Sequence, residues 1–330
     1  MDLASLHSSS VLSTVRCSDP AEVAGLLPGT NRRLLPLAGD FAFAQASLEL
    51  EALRVVVVRR PPCTSEGALD PRQIGIAWAM EASNGLKLNG IDLDRPALVT
   101  HGLETPHRIA QPDHLTIGAV FFPETAEDRG WPERGKCASV EFIRMEAMRN
   151  LQSTLADIIR LASRDPSRFS REGVVAGMQQ SLLGSIDHAF ATVPGAEPAS
   201  LAVGNYVRIC RRADEFIASR RGGLPTADAV AAAAGVTVRT LHNAMVAVHG
   251  MSLQKLMVLN RLWAVRGALL RADPDDLVKT IAFDHGFWHL GRFSQTYRVF
   301  FGEAPSDTLI GAAARRSERR PQERALRLLN

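Results

Sequence analysis

The sequence predicts an α+β protein of more than one domain, with an N-terminal β-barrel or roll carrying flanking helices and a C-terminal all-α domain. Three observations lead there. A chain of 330 residues exceeds what one ordinary core accommodates. Short apolar runs separated by turns fill the first 130 residues, whereas a helical period governs everything after Ser139. Charge divides the same way: residues 201–330 hold 19 Lys and Arg against 11 Asp and Glu, while the remainder of the chain is net acidic, so the formal +3 hides two unlike halves.

The β-rich part spans 1–135. Val55–Val58 and Ile117–Phe122 are β-branched or aromatic enough for buried strands, and Asn84-Gly85, Asn89-Gly90 and Pro61-Pro62 punctuate the runs. Many short strands with turns between them fit a barrel or double-sheet roll. No glycine-rich phosphate loop and no Gly-x-Ser-x-Gly elbow is present. A cavity at a barrel mouth is a natural place for a small molecule, and Trp78, Met80, Phe121 and Phe122 could line it or serve the core. His101, Glu104, His107 and His114 fall within fourteen residues. Their spacing lacks a tight His-x-His pair and is interrupted by Pro106, so no metal is assigned. Cys17, Cys63, Cys137 and Cys210 are scattered without a Cys-x-x-Cys pair, which excludes a disulfide framework and a zinc knuckle.

A helical segment spans 136–191. Phe142, Met145, Met148, Leu151, Leu155, Ile158 and Ile159 recur at three- and four-residue steps, Asp165-Pro166 breaks the run, and a second stripe follows from Val174 to Ile186. Apolar seams of this kind suit two-fold pairing, and a homodimer contact is expected here. Pro, Gly and small residues then mark a linker over 192–204.

The basic domain covers 205–311. After a first helix over Tyr206–Ser219, Pro225-Thr226 starts a short alanine-rich helix, Gly235 makes a turn, and Thr237 caps the next helix. That helix places Arg239, His242, Asn243 and Val246 on one face and Leu241, Met245 and Val248 on the other. Short helix, glycine turn, capped helix is the helix-turn-helix layout. Arg to guanine and Asn to adenine are favoured base pairings. A helix of roughly twenty residues, about 30 Å long, leads to a second short helix, a turn at Gly286, and the stretch HGFWHLGRFSQTYRVFFGEAP. There Arg292, Gln295 and Arg298 lie three apart on one face, Phe293, Tyr297, Phe300 and Phe301 anchor the other, and Gly302 and Pro305 stop the helix. Two such units on the basic half predict double-stranded DNA as a partner. The tail over 312–330 is basic.

Residues 205–310 resemble the DNA-binding domain of AraC-type (AraC/XylS) transcriptional regulators. The second unit carries the resemblance, with Ile-Ala, Gly-Phe, Phe-Ser, an aromatic, Phe-Gly and Pro in the run IAFDHGFWHLGRFSQTYRVFFGEAPS. The resemblance implies a bipartite domain whose two recognition helices enter successive major-groove segments. DNA-contacting positions on this chain are then Thr237, Arg239, Thr240, His242 and Asn243 in the first unit and His289, Arg292, Gln295 and Arg298 in the second. Leu290 and Gly291 stand where relatives are often polar, which shifts readout toward thymine methyls. The N-terminal half resembles the cupin-like sensor domain attached to such regulators, which implies a small-molecule effector and dimerisation, with RNA polymerase as a further partner. No cofactor is expected, and catalysis is not. The competing reading is a cupin-type metal-dependent enzyme with an accessory helical domain, which requires the four histidine-cluster residues to converge on a metal. No basic-then-apolar leader and no membrane-length apolar run is seen, so the expected location is the cytoplasm.

Overall fold

The computed structural model describes residues 3–23, 26, 31–68, 73–100, 107–123, 129, 131, 138–193, 201–219, 225–273 and 275–314. The chain divides into two compact units. The first holds Met1–Leu37, Phe41–Arg208 and Asn243–Gly250; the second holds Ala38–Asp40, Ile209–His242 and Met251–Asn330.

Among the described residues of the first unit twelve strands form two sheets. Strands β1 (Ser13–Cys17), β3 (Phe43–Leu50), β4 (Leu53–Arg60), β6 (Gln73–Ala79), β9 (Ala97–Thr100), β11 (Leu115–Pro123) and β12 (Ser139–Phe142) make a seven-stranded sheet in the order β1-β3-β4-β11-β6-β9-β12. Strands β2 (Asn31–Pro36), β5 (Cys63–Ala68), β7 (Lys87–Leu88), β8 (Ile91–Asp92) and β10 (His107–Gln111) make a five-stranded one in the order β2-β5-β10-β7-β8. The predicted α+β class and double-sheet roll are what forms, but the barrel does not close. Strands β1 and β12 end the larger sheet without pairing to each other, which leaves open edges where a barrel would have none.

The uninterrupted run Val55–Val58 is buried because β4 is a central strand with both faces covered. One face carries Val55, Val57, Ile76, Trp78, Val120 and Phe122, and onto it pack α1 (Met145–Arg164) and α2 (Val174–Ala191). The other face carries Val56, Ala119 and Phe121. Gly118 is required by the first of these contacts. A Cβ there would stand 2.5 Å from Leu155 Cδ2 of α1 and 2.9 Å from Met80 Sδ, so a side chain on β11 would force those two side chains to shift. The apolar stripes of segment 136–191 face this sheet. Met148, Leu151, Leu155, Ile159, Leu182 and Ile186 are buried in the core of their own chain. The reason is physical: a sheet with an apolar outer face offers the nearest surface for a helical stripe to leave water. The predicted linker falls mostly on 194–200, outside the described residues.

The remaining helices are α3 (Leu201–Ser219), α4 (Ala227–Ala234), α5 (Val238–His249), α6 (Leu253–Arg271), α7 (Val278–Asp284) and α8 (Leu290–Phe301), and helix resumes over 305–314. Their ends follow local chemistry. The Thr226 hydroxyl accepts from the Ala229 N–H, and Ser252 from the Lys255 N–H, each satisfying an orphan donor of the first turn. Gly235 and Gly302 close α4 and α8 in the left-handed conformation, at φ 72° and 75°. The core beneath α8 joins Leu262, Val265 and Leu269 of α6 to Ala282, Phe293, Tyr297 and Leu309.

His249, the last residue of α5, is buried, and its pKa is depressed to about 4 by that burial, with the charge of Arg108 acting in the same direction. The folded state thus keeps this imidazole neutral at pH values where the unfolded chain binds a proton. Stability is unaffected above the ordinary histidine pKa near 6.5 and falls as the pH drops below it, with a slope approaching ~1.4 kcal/mol per pH unit until about pH 4. We expect His249→Gln to lose stability less steeply than wild type between pH 7 and pH 5, as read by urea melts at each pH. Parallel pH profiles for the two proteins would refute the assignment.

Candidate nucleic-acid interface

Each recognition helix predicted from the sequence is packed on one side and exposed on the other. On α5, Leu241, Ala244, Met245 and Val248 are fully buried, while Arg239, His242, Asn243 and Val246 face solvent. On α8, Phe293 and Tyr297 are buried, and Gly291, Arg292, Ser294, Gln295, Thr296, Arg298 and Val299 face solvent. The periodicity explains both. Positions separated by three and four residues share a face, so an apolar stripe leaves a polar one opposite.

The backs of the helices are held firmly. Phe287 lies 4.8 Å from Phe293, and Tyr297 lies 4.5 Å from Phe301, between ring centroids. Arg266 donates to Glu303 at 2.8 Å, the Thr308 hydroxyl donates to the same carboxylate at 2.7 Å, and Thr308 shares a 2.9 Å hydrogen bond with the Tyr297 hydroxyl. This network fixes the C-terminal half of α8, and burial holds the Tyr297 phenol above its ordinary pKa, so it stays protonated. Arg261 braces the turn before α8, donating to the Gly286 carbonyl at 3.3 Å with its guanidinium 4.9 Å above the Phe287 ring.

The two sets of basic residues therefore differ in kind. Arg261 and Arg266 are spent on intramolecular contacts. In contrast, the side chains of Arg239, His242, Asn243, His289, Arg292, Gln295 and Arg298 make no hydrogen bond or ion pair among the described residues. Such donors and acceptors, carried on a rigid helix and paid for by no internal partner, are what recognition of base edges and phosphates requires. Thr237 and Thr240 stand apart from this group. The Thr237 hydroxyl accepts from the Thr240 N–H at 3.1 Å and pairs with the Thr240 hydroxyl at 2.9 Å, so Thr237 caps α5 and the Thr240 side chain is engaged with that cap. His289 occupies the N-cap position of α8 without capping it through its side chain.

Sequence reasoning overlooked Trp288. It is 72% exposed and stacked on Phe283 at 5.7 Å with 24° between the rings. Its signal was available: an aromatic between Phe287 and the helix, out of phase with the buried stripe.

The first unit contains a cavity of about 280 Å³. Ala77, Val99, Ile109 and Ile117 supply its apolar wall, and Met148 and Gln152 bring α1 to it. Gln152 is positioned by donating to the Ala79 carbonyl at 2.9 Å. Of the four residues considered for such a cavity, Trp78 lines it; Trp78 and Phe122 belong to the core facing α1 and α2, and Met80 packs against that core. His107 is buried on β10 and His114 is exposed, whereas His101 and Glu104 lie outside the described residues. Among the described residues no three His, Cys, Asp or Glu side chains gather to hold a metal ion, and no helix is long and apolar enough to cross a membrane.

Residues 230–309 match the family described as a helix-turn-helix domain. Over 194 residues the chain is 29% identical to the XylDLEGF operon transcriptional activator 1 of Pseudomonas putida, covering 58% of this chain and 59% of that one. The C-terminal region thus contains a helix-turn-helix domain. It also aligns with the probable thc operon regulatory protein of Rhodococcus erythropolis, 34% identical over 102 residues, 31% of each chain. Among solved structures, the AraC-like transcriptional activator CuxR is similar at a TM-score of 0.37 and 17% identity, covering 71% of this chain and 88% of that one. The chain thus spans about 59% of the length of the first curated relative. Within the matched residues both glycine turns, Gly235 and Gly286, lie at positive φ between a short helix and an exposed-faced helix.

Proposed function

We propose that the protein is a transcriptional regulator that reads promoter DNA through α5 and α8 and is switched by a small molecule bound in the first unit. The observation that carries this reading is the pair of outward helix faces whose Arg, His, Asn and Gln side chains have no hydrogen-bond or ion-pair partner among the described residues while their backs are tightly packed. Arg292 and Arg298 supply positive charge for phosphate, and Arg239, Asn243 and Gln295 supply the geometry for base edges. The related proteins are named as operon activators, which favours activation and a contact with RNA polymerase. The cavity beside α1 is the effector site in this reading, and the effector acts only by binding one arrangement of the protein better than another. The working form is a homodimer in the cytoplasm. In this reading α1 and α2 contribute to pairing through the faces that their buried stripes leave exposed.

The test is a competition binding experiment on fragments upstream of the protein's own and neighbouring genes, with unrelated duplex as competitor. We expect one fragment to be held at least a thousandfold more tightly than the competitor, as for specific regulators. Equal affinity for every fragment, at every salt concentration and with candidate effectors present, would overturn the reading.

A further inference from the structure

Trp288 is assigned no task by the fold. Its three counterparts, Trp78, Trp131 and Trp263, are buried or half-buried, whereas Trp288 leaves most of its indole in water. Covering a large apolar side chain stabilises a protein, and here that gain is forgone. Phe283, near the end of α7, stacks beside it, so the indole has one aromatic neighbour and leaves the rest of its surface in water.

Its position narrows the occupant. Trp288 immediately precedes His289, the N-cap of α8. In helix-turn-helix docking the N-terminal residues of the recognition helix reach the base edges. In the sequence Trp288 is followed by His289 and Arg292, all three exposed, and preceded by Lys279 and Asp284 on α7. A net basic surround around an apolar plate complements a phosphate-lined groove with a methyl group in it, and thymine supplies that methyl in the major groove.

We propose that Trp288, braced by Phe283, contacts a thymine C5-methyl at the edge of the site read by α8 and so sets a sequence preference there. This rests on the DNA-reading function proposed above. The test starts from duplexes enriched by the full-length wild-type protein from a randomised pool. Affinities of wild type, Trp288→Ala, Trp288→Phe and Phe283→Ala are then measured on the enriched duplex and on versions carrying deoxyuridine in place of each thymidine.

Trp288→Ala should bind the enriched duplex about tenfold more weakly, bind unrelated duplex as wild type does, and keep the wild-type melting temperature. One uridine substitution should weaken wild type by a similar factor and leave Trp288→Ala unchanged. Trp288→Phe should retain most of the affinity, and Phe283→Ala should fall between. Affinity of Trp288→Ala within twofold of wild type, equal losses on enriched and unrelated duplex, or uridine effects that persist in Trp288→Ala would each overturn the proposal. If wild type enriches no sequence, the DNA-reading function fails first and this proposal with it.

Discussion

Phe293→Ala will destabilise the second helix-turn-helix unit by about 3–5 kcal/mol, the range for truncating a buried phenylalanine. Phe293 is 2% exposed and is flanked by Phe287 on one side and Tyr297 on the other, at 4.8 and 5.6 Å. Removing the ring leaves a cavity under the first turns of α8. The polar residues of the outward face are all retained, yet the helix that aims them loses its seat. We therefore expect sequence-specific DNA binding to be lost together with thermal stability, and to return partly at low temperature. A conservative Phe293→Leu should lose much less, because most of the volume is kept. Wild-type melting with binding abolished would mean that Phe293 itself meets DNA, contrary to its burial.

The recognition helices were legible because two periodic signals coincide in them. In α8 the aromatic stripe of Phe293 and Tyr297 fixes the buried side, and the glycines at 286 and 302 fix both ends, so the outward face follows by subtraction. What the pattern could not reveal is which arginines are already engaged. Arg261 and Arg292 look alike in the sequence, yet one is tied to the Gly286 carbonyl and the Phe287 ring while the other has no partner among the described residues. Thr237 and Thr240 illustrate the same limit, since a hydroxyl near a helix start serves as a cap or a contact with the same spacing. In the first unit, alternation identified strands but not their closure, because pairing of edge strands depends on residues far apart in sequence. The stripes of α1 and α2 were read correctly as buried. What buries them is their own sheet, and an apolar stripe does not say which apolar surface it will meet.

Arg292→Ala and Gln295→Ala should both weaken binding to the preferred fragment, but they should do so differently. Arg292 carries a charge near the start of α8, and Gln295 lies one helical turn further along the same exposed side, neutral and unpartnered. If Gln295 pairs with a base, its loss costs ~1–3 kcal/mol, or roughly tenfold to a hundredfold, and relaxes the preference at one base pair. Its dependence on salt should match wild type, because no phosphate contact is removed. If Arg292 acts on a phosphate, its loss should weaken preferred and unrelated duplexes to a similar degree and flatten the salt slope by about one. A bidentate contact from Arg292 to guanine produces a different result: a large loss confined to the preferred fragment. Measuring affinity at four salt concentrations on two duplexes separates these outcomes. Both variants binding like wild type on every duplex would show that the outward face of α8 is not the reading surface, however well its back is packed.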